Sequence, residues 1–330
     1  MAVSRGAWLA RANEAPLEPD RPLVDPHHHL WDWPGNRYLP GDFYADIEGH
    51  DVRHSVFVEC MAGYRKEGPR EERPVGETEW VVEVTPEQRP LVAAIVGFAD
   101  LTLGGAIAPV LRAHREAGAG RFRGIRHSCT WDFSEDVPNS HSKPPPHLFL
   151  RDDFREGFVQ LEQQGFLFEA WCYHTQLFEL ASLAKAFPHV TIVTDHAGGP
   201  LGIGPYAGRR DEVFEHWCRG IDELASRPNV VMKLGGLGME INGFNWHKRE
   251  RPPSSEEMAA AIEPYVSYCI RRFGVERCMF ESNFPVDNLS GPYTVVWNVF
   301  KRLAGQYGSA AADALLADNA TRVYGLPDRR

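Results

Sequence analysis

Apolar residues along this chain follow two alternating rhythms. Short, nearly continuous runs rich in Val, Ile, Phe and Cys occupy 23–25, 54–60, 91–99, 122–128, 166–172, 190–194, 230–234 and 278–282. Elsewhere apolar positions return every three or four residues, over 105–117, 152–164, 177–186, 211–226, 255–273 and 295–307. The first pattern predicts strands buried on both faces and the second amphipathic helices. Ser254-Ser255-Glu256-Glu257 has the acidic first turn of a helix start. Strands and helices in alternation predict a parallel sheet, and eight such runs predict its closure into a (β/α)8 TIM barrel. That barrel forms a single domain over 23–330, behind an N-terminal extension over 1–22. An open doubly wound sheet is the alternative. Its dinucleotide-binding form is weakened because no Gly-x-Gly-x-x-Gly follows the first strand.

The connections are unequal. Long irregular stretches at 61–77, 129–148, 198–210 and 235–254 all follow strands, whereas returns from helix to strand, such as 187–189 and 227–229, are short. Strand C-termini share one face of a barrel, and the loops on that face carry its site. The tail reads as a last helix over 310–318, with 319–324 closing against the barrel.

Composition narrows the class. A chain of 330 residues with 43% hydrophobic and 24% charged positions is globular. Lys plus Arg number 35 against 45 Asp plus Glu, a net charge of −10 that argues against nucleic-acid or anionic-membrane partners. The expected partner is a small-molecule substrate, with a homo-oligomer open. The six cysteines include no C-x-x-C pair and read as buried thiols. Residues 1–22 lack the apolar core of a signal peptide, and no run nears the ~20 apolar residues of a membrane span, so a cytoplasmic protein is expected.

Candidate chemistry gathers at the strand ends. Pro26-His27-His28-His29-Leu30 closes the first run. Residues two apart in an extended chain point the same way, so His27 and His29 share a side, and paired imidazoles suit zinc, manganese or iron. His174 closes the fifth run and His196 the sixth, within Thr194-Asp195-His196-Ala197-Gly198-Gly199. Together His27, His29, His174 and His196 predict a divalent-metal site, zinc first. A one-residue change of register would instead turn Tyr173 inward and leave His174 outside. Arg126 closes the fourth run, where its planar fork suits a substrate carboxylate or a lactone carbonyl. The alternative is an ion pair with Glu59 inside the barrel, and Lys233 in the seventh run admits the same two readings. Trp131, with Trp31, Trp33, Tyr64, Phe244 and Trp246, follows strand ends and could wall a ring-sized pocket.

Asp25-x-His27-x-His29, the His ending the fifth run, the Asp195-His196-x-Gly turn and the Ser282-Asn283-x-Pro285 turn, in this order, resemble the amidohydrolase superfamily. The likeness runs from about Val24 to Leu326 and is greatest to its amidohydrolase-2 branch, which holds 2-pyrone-4,6-dicarboxylate lactonase, sugar lactonases, sulfomuconolactone hydrolase and metal-dependent decarboxylases. Phe122-Arg123-Gly124-Ile125-Arg126-His127 and Val231-Met232-Lys233-Leu234-Gly235-Gly236 resemble that branch as well. The resemblance implies a barrel hydrolase acting on a cyclic ester. A metal or Arg126 would polarise the carbonyl, water would attack, and His196 or an acid would assist the leaving oxygen. The branch also contains metal-free members.

One position departs from the pattern. The eighth strand of the family normally ends in an Asp that binds metal or activates water, and here Asn283 stands there. An amide cannot take a proton from water at neutral pH. Asp287 and Glu281 are then the carboxylates nearest in sequence to serve as base, with Asp287 favoured because the Pro285 turn can carry it back towards the pocket. The catalytic set is therefore His196, Asp287, Glu281 and Asn283, and the substrate-binding set Arg126, Tyr173, Lys233 and Trp131. Two alternatives stand beside lactone hydrolysis: a metal-dependent non-oxidative decarboxylase, and a binding barrel that lost its base.

Overall fold

The computed structural model describes residues 4–86 and 91–327. Eight parallel strands run in sequence order around one sheet: β1 Leu23–His28, β2 Val52–Val58, β3 Leu91–Gly97, β4 Phe122–Arg126, β5 Leu167–Ala170, β6 Ile192–Thr194, β7 Val230–Lys233 and β8 Cys278–Met279. The sheet closes where β8's continuation meets β1. His28 bridges Phe284 in parallel, Asn283 N donates to His27 O at 2.9 Å, and His29 N donates to Phe284 O at 2.7 Å. The eight predicted runs are these strands, and the fold is the (β/α)8 barrel.

Helices α1 Pro40–Asp46, α2 Val75–Val84, α3 Ala108–Ala117, α4 Asp152–Gln164, α5 Leu177–Ala186, α6 Arg210–Ala225, α7 Ser255–Phe273 and α8 Tyr293–Gly305 follow the strands in turn. The start of α7 is a capping box, with Ser254 Oγ accepting from Glu257 N and Glu257 Oε2 accepting from Ser254 N. Three features lie outside the expectation: α1, α2, which begins within the stretch read as irregular over 61–77, and a small antiparallel hairpin of Trp31–Trp33 with Asn36–Tyr38. Among the described residues no helix is long and apolar enough to cross a membrane.

Strand alternation sorts the core into two layers. Phe57, Ile95, Ile125, Phe168, Ile192, Met232 and Phe280 belong to the core between sheet and helices. Val56, Val58, Val96, Leu167, Val193, Val231 and Met279 belong to a second core inside the barrel, which Ala320, Tyr324 and Leu326 of the chain's end join. The end of the chain thus plugs one mouth of the barrel. Segment 4–18 lies along α7 and α8: Trp8 Nε1 donates to Arg249 O at 2.8 Å, Glu14 Oε1 accepts from Ser255 N at 2.6 Å, and Asn298 Oδ1 accepts from Leu17 N at 2.8 Å.

Candidate active site

The period of two that turns Leu167, Val193, Val231 and Met279 inward places Glu169, Asp195, Lys233 and Glu281 on the same inner side, one step nearer the C-terminal mouth. These four side chains are fully buried. Charges so placed persist only if paired. Lys233 Nζ lies 2.8 Å from Glu169 Oε2, 3.3 Å from Asp195 Oδ1 and 3.7 Å from Glu281 Oε2. Burial works against its charge, but these carboxylates raise its pKa. Arg126 Nε donates to Glu59 Oε1 at 2.8 Å, the ion pair considered from sequence, and its Nη1 also comes within 3.3 Å of His27 Nε2. Arg126 and Lys233 therefore both border the histidine cluster.

His27, His29 and His196 converge. His27 and His29 face each other Nε2 to Nε2 at 3.2 Å, and the rings of His27 and His196 lie 4.7 Å apart. The carbonyl of Val58, 2.7 Å from His29 Nδ1, fixes the proton there and leaves a lone pair on Nε2. Lys233 Nζ approaches His27 Nδ1 at 3.1 Å, and His27 Nε2 faces both His29 Nε2 and Arg126 Nη1. Burial, then the nearby Lys233, holds the His27 pKa well below the usual imidazole range, and burial with Arg126 lowers that of His29 to about 3. Both imidazoles are neutral at pH 7.

Glu281 spans two of these rings. Its Oε1 accepts from His196 Nδ1 at 2.8 Å and from His196 N at 3.0 Å, while Oε2 lies 2.7 Å from His27 Nδ1. Burial works against this carboxylate, but His196 and Lys233 keep its pKa low. With Nδ1 engaged by Glu281, His196 keeps Nε2 as its lone-pair nitrogen. The turn that presents His196 is tight: His196 and Ala197 both take positive φ, at 55° and 51°. Gly236, at φ 65°, packs against the ring so closely that a Cβ there would sit 2.1 Å from His196 Nδ1.

Among the described residues, His27, Asp195 and His196 form a group whose ligand atoms all lie within 4.8 Å of one another. Both oxygens of Asp195 are buried without an aligned hydrogen bond, although Lys233 and Arg126 stand 3.3 Å and 3.8 Å away. Glu59, Glu169, Asp195 and Glu281, set against Arg126 and Lys233 with neutral imidazoles between, leave an anionic excess when ionised. A donor set of two imidazoles and one unsatisfied carboxylate inside such an excess fits a divalent cation.

Other expected residues lie elsewhere. His174 is corrected: its Nδ1 accepts from Leu201 N at 3.4 Å, and its ring stands edge-on to Tyr206 at 5.1 Å and to His216 of α6 at 5.5 Å. β5 ends at Ala170, so Trp171 turns inward, its ring 4.5 Å from His196, and His174 falls on the helix side. Tyr173 donates through its hydroxyl to Pro138 O and packs with Val137, Leu201 and Ile241, which fastens the loop after β4. Trp131 lies in that loop, its N–H on Gln176 Oε1 at 3.2 Å. Asn283 and Asp287 pair with each other: Asp287 Oδ1 accepts from Asn283 Nδ2 at 2.9 Å and Oδ2 from Gly238 N at 3.0 Å. Burial raises the Asp287 pKa to about 7. Sequence reasoning did not count Asp195, Glu169 or Trp171 among the site residues. The inward phase of β5 and β6, extended one residue past each strand, identifies them.

The C-terminal mouth of this barrel thus gathers buried histidines, a buried carboxylate and two fixed cations. The chain belongs to the amidohydrolase family, whose model matches residues 24–326, and it is a hydrolase of that family. Uncharacterized protein y4mH of Sinorhizobium fredii is 32% identical over 327 residues, covering 92% of this chain and 99% of that protein. An L-fucono-1,5-lactonase of Burkholderia multivorans is 27% identical over 322 residues, covering 92% of this chain and 96% of its own. The crystal structure of a B. multivorans amidohydrolase with bound zinc shares the fold, with a TM-score of 0.72 at 24% identity over 92% of this chain and 99% of that one.

Proposed function

We propose that this protein opens a lactone of a small hydroxylated or carboxylated acid by attack of water, with a divalent cation, zinc first, held by His27, Asp195 and His196. The observation that carries the reading is the convergence of those three donors at the C-terminal mouth, Glu281 bracing both rings from behind. Similarity to an L-fucono-1,5-lactonase supports the lactone as substrate class. The bound cation would supply Lewis acidity for the carbonyl or the water.

The chain's own groups do the rest. Arg126, anchored by Glu59, offers a fixed positive edge to the oxygen on which charge develops. Asp287, with a pKa near 7, has the basicity suited to taking the proton of the attacking water, and Asn283 orients it through Oδ1. Glu281 stays ionised and keeps the imidazoles turned. Trp171 lies edge-on to His196 and limits water beside it. Initial rates of acid release from a panel of 1,5- and 1,4-lactones, with chelator and with added zinc or manganese, test the reading. Turnover of a lactone that falls on chelation and returns with metal is the expected result. No turnover of any lactone with metal supplied would overturn it.

A further inference from the structure

Tyr324 reaches the histidine cluster from the opposite mouth of the barrel. It ends the short helix Asn319–Tyr324, is buried, and shares the inner core with Leu167, Val193, Val231 and Met279. The segment that carries it is fixed on both sides. Asn319 Nδ2 donates to Val275 O and to Cys278 O, both at 2.8 Å, and Leu326 N donates to Thr321 O at 2.9 Å. Arg123 Nε, near the start of β4, donates to Tyr324 O at 2.6 Å. The side chain therefore enters the barrel along one set direction.

At its tip a line of hydrogen bonds begins. Tyr324 OH donates to Glu169 Oε1, and the other oxygen, Oε2, accepts from Lys233 Nζ at 2.8 Å. Lys233 Nζ also stands 5.7 Å from the centre of the Tyr324 ring, within reach of its π face. The same ammonium lies 3.1 Å from His27 Nδ1 and 3.3 Å from Asp195 Oδ1, two of the three candidate metal donors. Tyr324, Glu169 and Lys233 thus join the plug to the cluster without a break, and all three are buried. Burial and then Glu169 push the Tyr324 phenol well above its usual range, so it keeps its proton and donates. Burial pushes the Glu169 pKa up to about 7, and the hydrogen bonds from Lys233 and Tyr324 oppose that rise.

We propose that Tyr324 is a positioning residue for the metal: by holding Glu169 it holds Lys233 back from Asp195 and His27, and so keeps those donors open to a divalent cation. Lys233 and a cation are both positive and seek the same Asp195 oxygen, so each excludes the other there. A carboxylate fixed on the far side keeps the ammonium away. A buried carboxylate oxygen that loses its donor turns or takes a proton. Either response frees Lys233 to close on Asp195. This inference rests on the metal part of the reading above and not on the lactone.

The test is zinc affinity, read by competition with a chromophoric chelator, in wild type, Tyr324→Phe and Leu326→Ala. Tyr324→Phe keeps the ring and its packing and removes only the hydroxyl. Leu326→Ala loosens the same inner core but takes no part in the Glu169 contact, so it reports what a packing defect in the plug does by itself. Zinc should bind about tenfold more weakly in Tyr324→Phe, the low end of what losing an outer partner costs, and within about twofold of wild type in Leu326→Ala. Urea unfolding should nevertheless show Leu326→Ala to be the less stable of the two. Wild-type affinity in Tyr324→Phe overturns the proposal. So does an equal loss in both variants, which would make Tyr324 a packing residue. Either result leaves the metal site standing. A wild type that binds neither zinc nor manganese overturns the metal reading and this inference together.

Discussion

Asn283 donates its amide Nδ2 hydrogen to Asp287 Oδ1 across 2.9 Å. The amide stands where the family resemblance implies a carboxylate, and this bond explains how the exchange is accommodated. A second carboxylate at that separation would face Asp287 directly, and two such groups cannot both ionise unless a cation lies between them. Asn283→Asp is therefore expected to fold but to lose about 1–3 kcal/mol without metal, equivalent to one or two pKa units of mutual repulsion. Zinc should restore part of the loss. Thermal unfolding with and without zinc measures this, and an unfolding temperature that metal leaves unmoved in the variant alone would contradict it.

Asp287 is assigned the water's proton. Asp287→Asn preserves shape and keeps an acceptor for Gly238 N, while removing the basic oxygen. Its kcat should fall by ~10²–10⁴, with KM changed much less. Equal losses in stability and activity, followed by urea unfolding beside the kinetics, would instead make Asp287 a clamp between the loops after β7 and β8.

Glu281 Oε1 holds the Nδ1 proton of His196, and its Oε2 lies against His27. Glu281→Gln removes the negative charge between the two rings and leaves one carbonyl oxygen in place of two, so the seating of His27 and His196 must change. Removing an outer partner of this kind typically costs ~10–100-fold in metal affinity or activity. Competition with a chromophoric zinc chelator reads the affinity directly, and a variant that retains wild-type affinity would show that the imidazoles need no brace.

The barrel was legible because each strand run is apolar on both faces and bounded by a turn, and all eight runs became strands in the expected order. Helix α2 was not. Val75, Thr78 and Val81 are buried together with Glu77, so the usual polar stripe is missing, and the preceding Arg70-Glu71-Glu72-Arg73-Pro74 reads as loop. The strand-end positions of His27, His29 and His196 made their convergence legible, although the candidate ligand group takes His27 and His196 with Asp195 and leaves His29 beside it. Asp195 and Glu169 were not, because a buried charge inside a barrel looks in sequence like a polar break in a strand. His174 failed for a local reason: β5 stops at Ala170, and the chain then bends, so counting alternation onward from the strand loses phase.

That phase change can be checked at the metal. His27→Gln should reduce bound zinc at least tenfold, because His27 is shared by the candidate ligand group and the His29 contact. His174→Gln should leave zinc stoichiometry as in wild type, at a stability cost of about 1 kcal/mol for altered packing on Tyr206 and His216. Elemental analysis of both variants separates them, and loss of zinc from His174→Gln would return that residue to the site.

Gly236 imposes a severe local constraint. Its φ of 65° lies in the left-handed region, where a Cβ costs roughly 1–2 kcal/mol by itself. Here the Cβ would also fall 2.1 Å from His196 Nδ1 and 2.3 Å from His196 Cγ. The ring cannot simply yield, because Glu281 holds Nδ1 at 2.8 Å and Trp171 stands against it. Gly236→Ala should therefore destabilise the fold by about 2–4 kcal/mol and displace His196 from the cluster, so that zinc binding and turnover fall together. Gly305, at the end of α8, supplies the contrast: a Cβ there meets nothing within 4 Å and its φ is not in the left-handed region. Gly305→Ala should be neutral or add up to about 1 kcal/mol by restricting the unfolded chain. Urea unfolding of the two variants gives opposite signs if the Gly236 contact with His196 is what forbids a side chain. A Gly236→Ala protein as stable and active as wild type would mean that His196 has a second seat in the site.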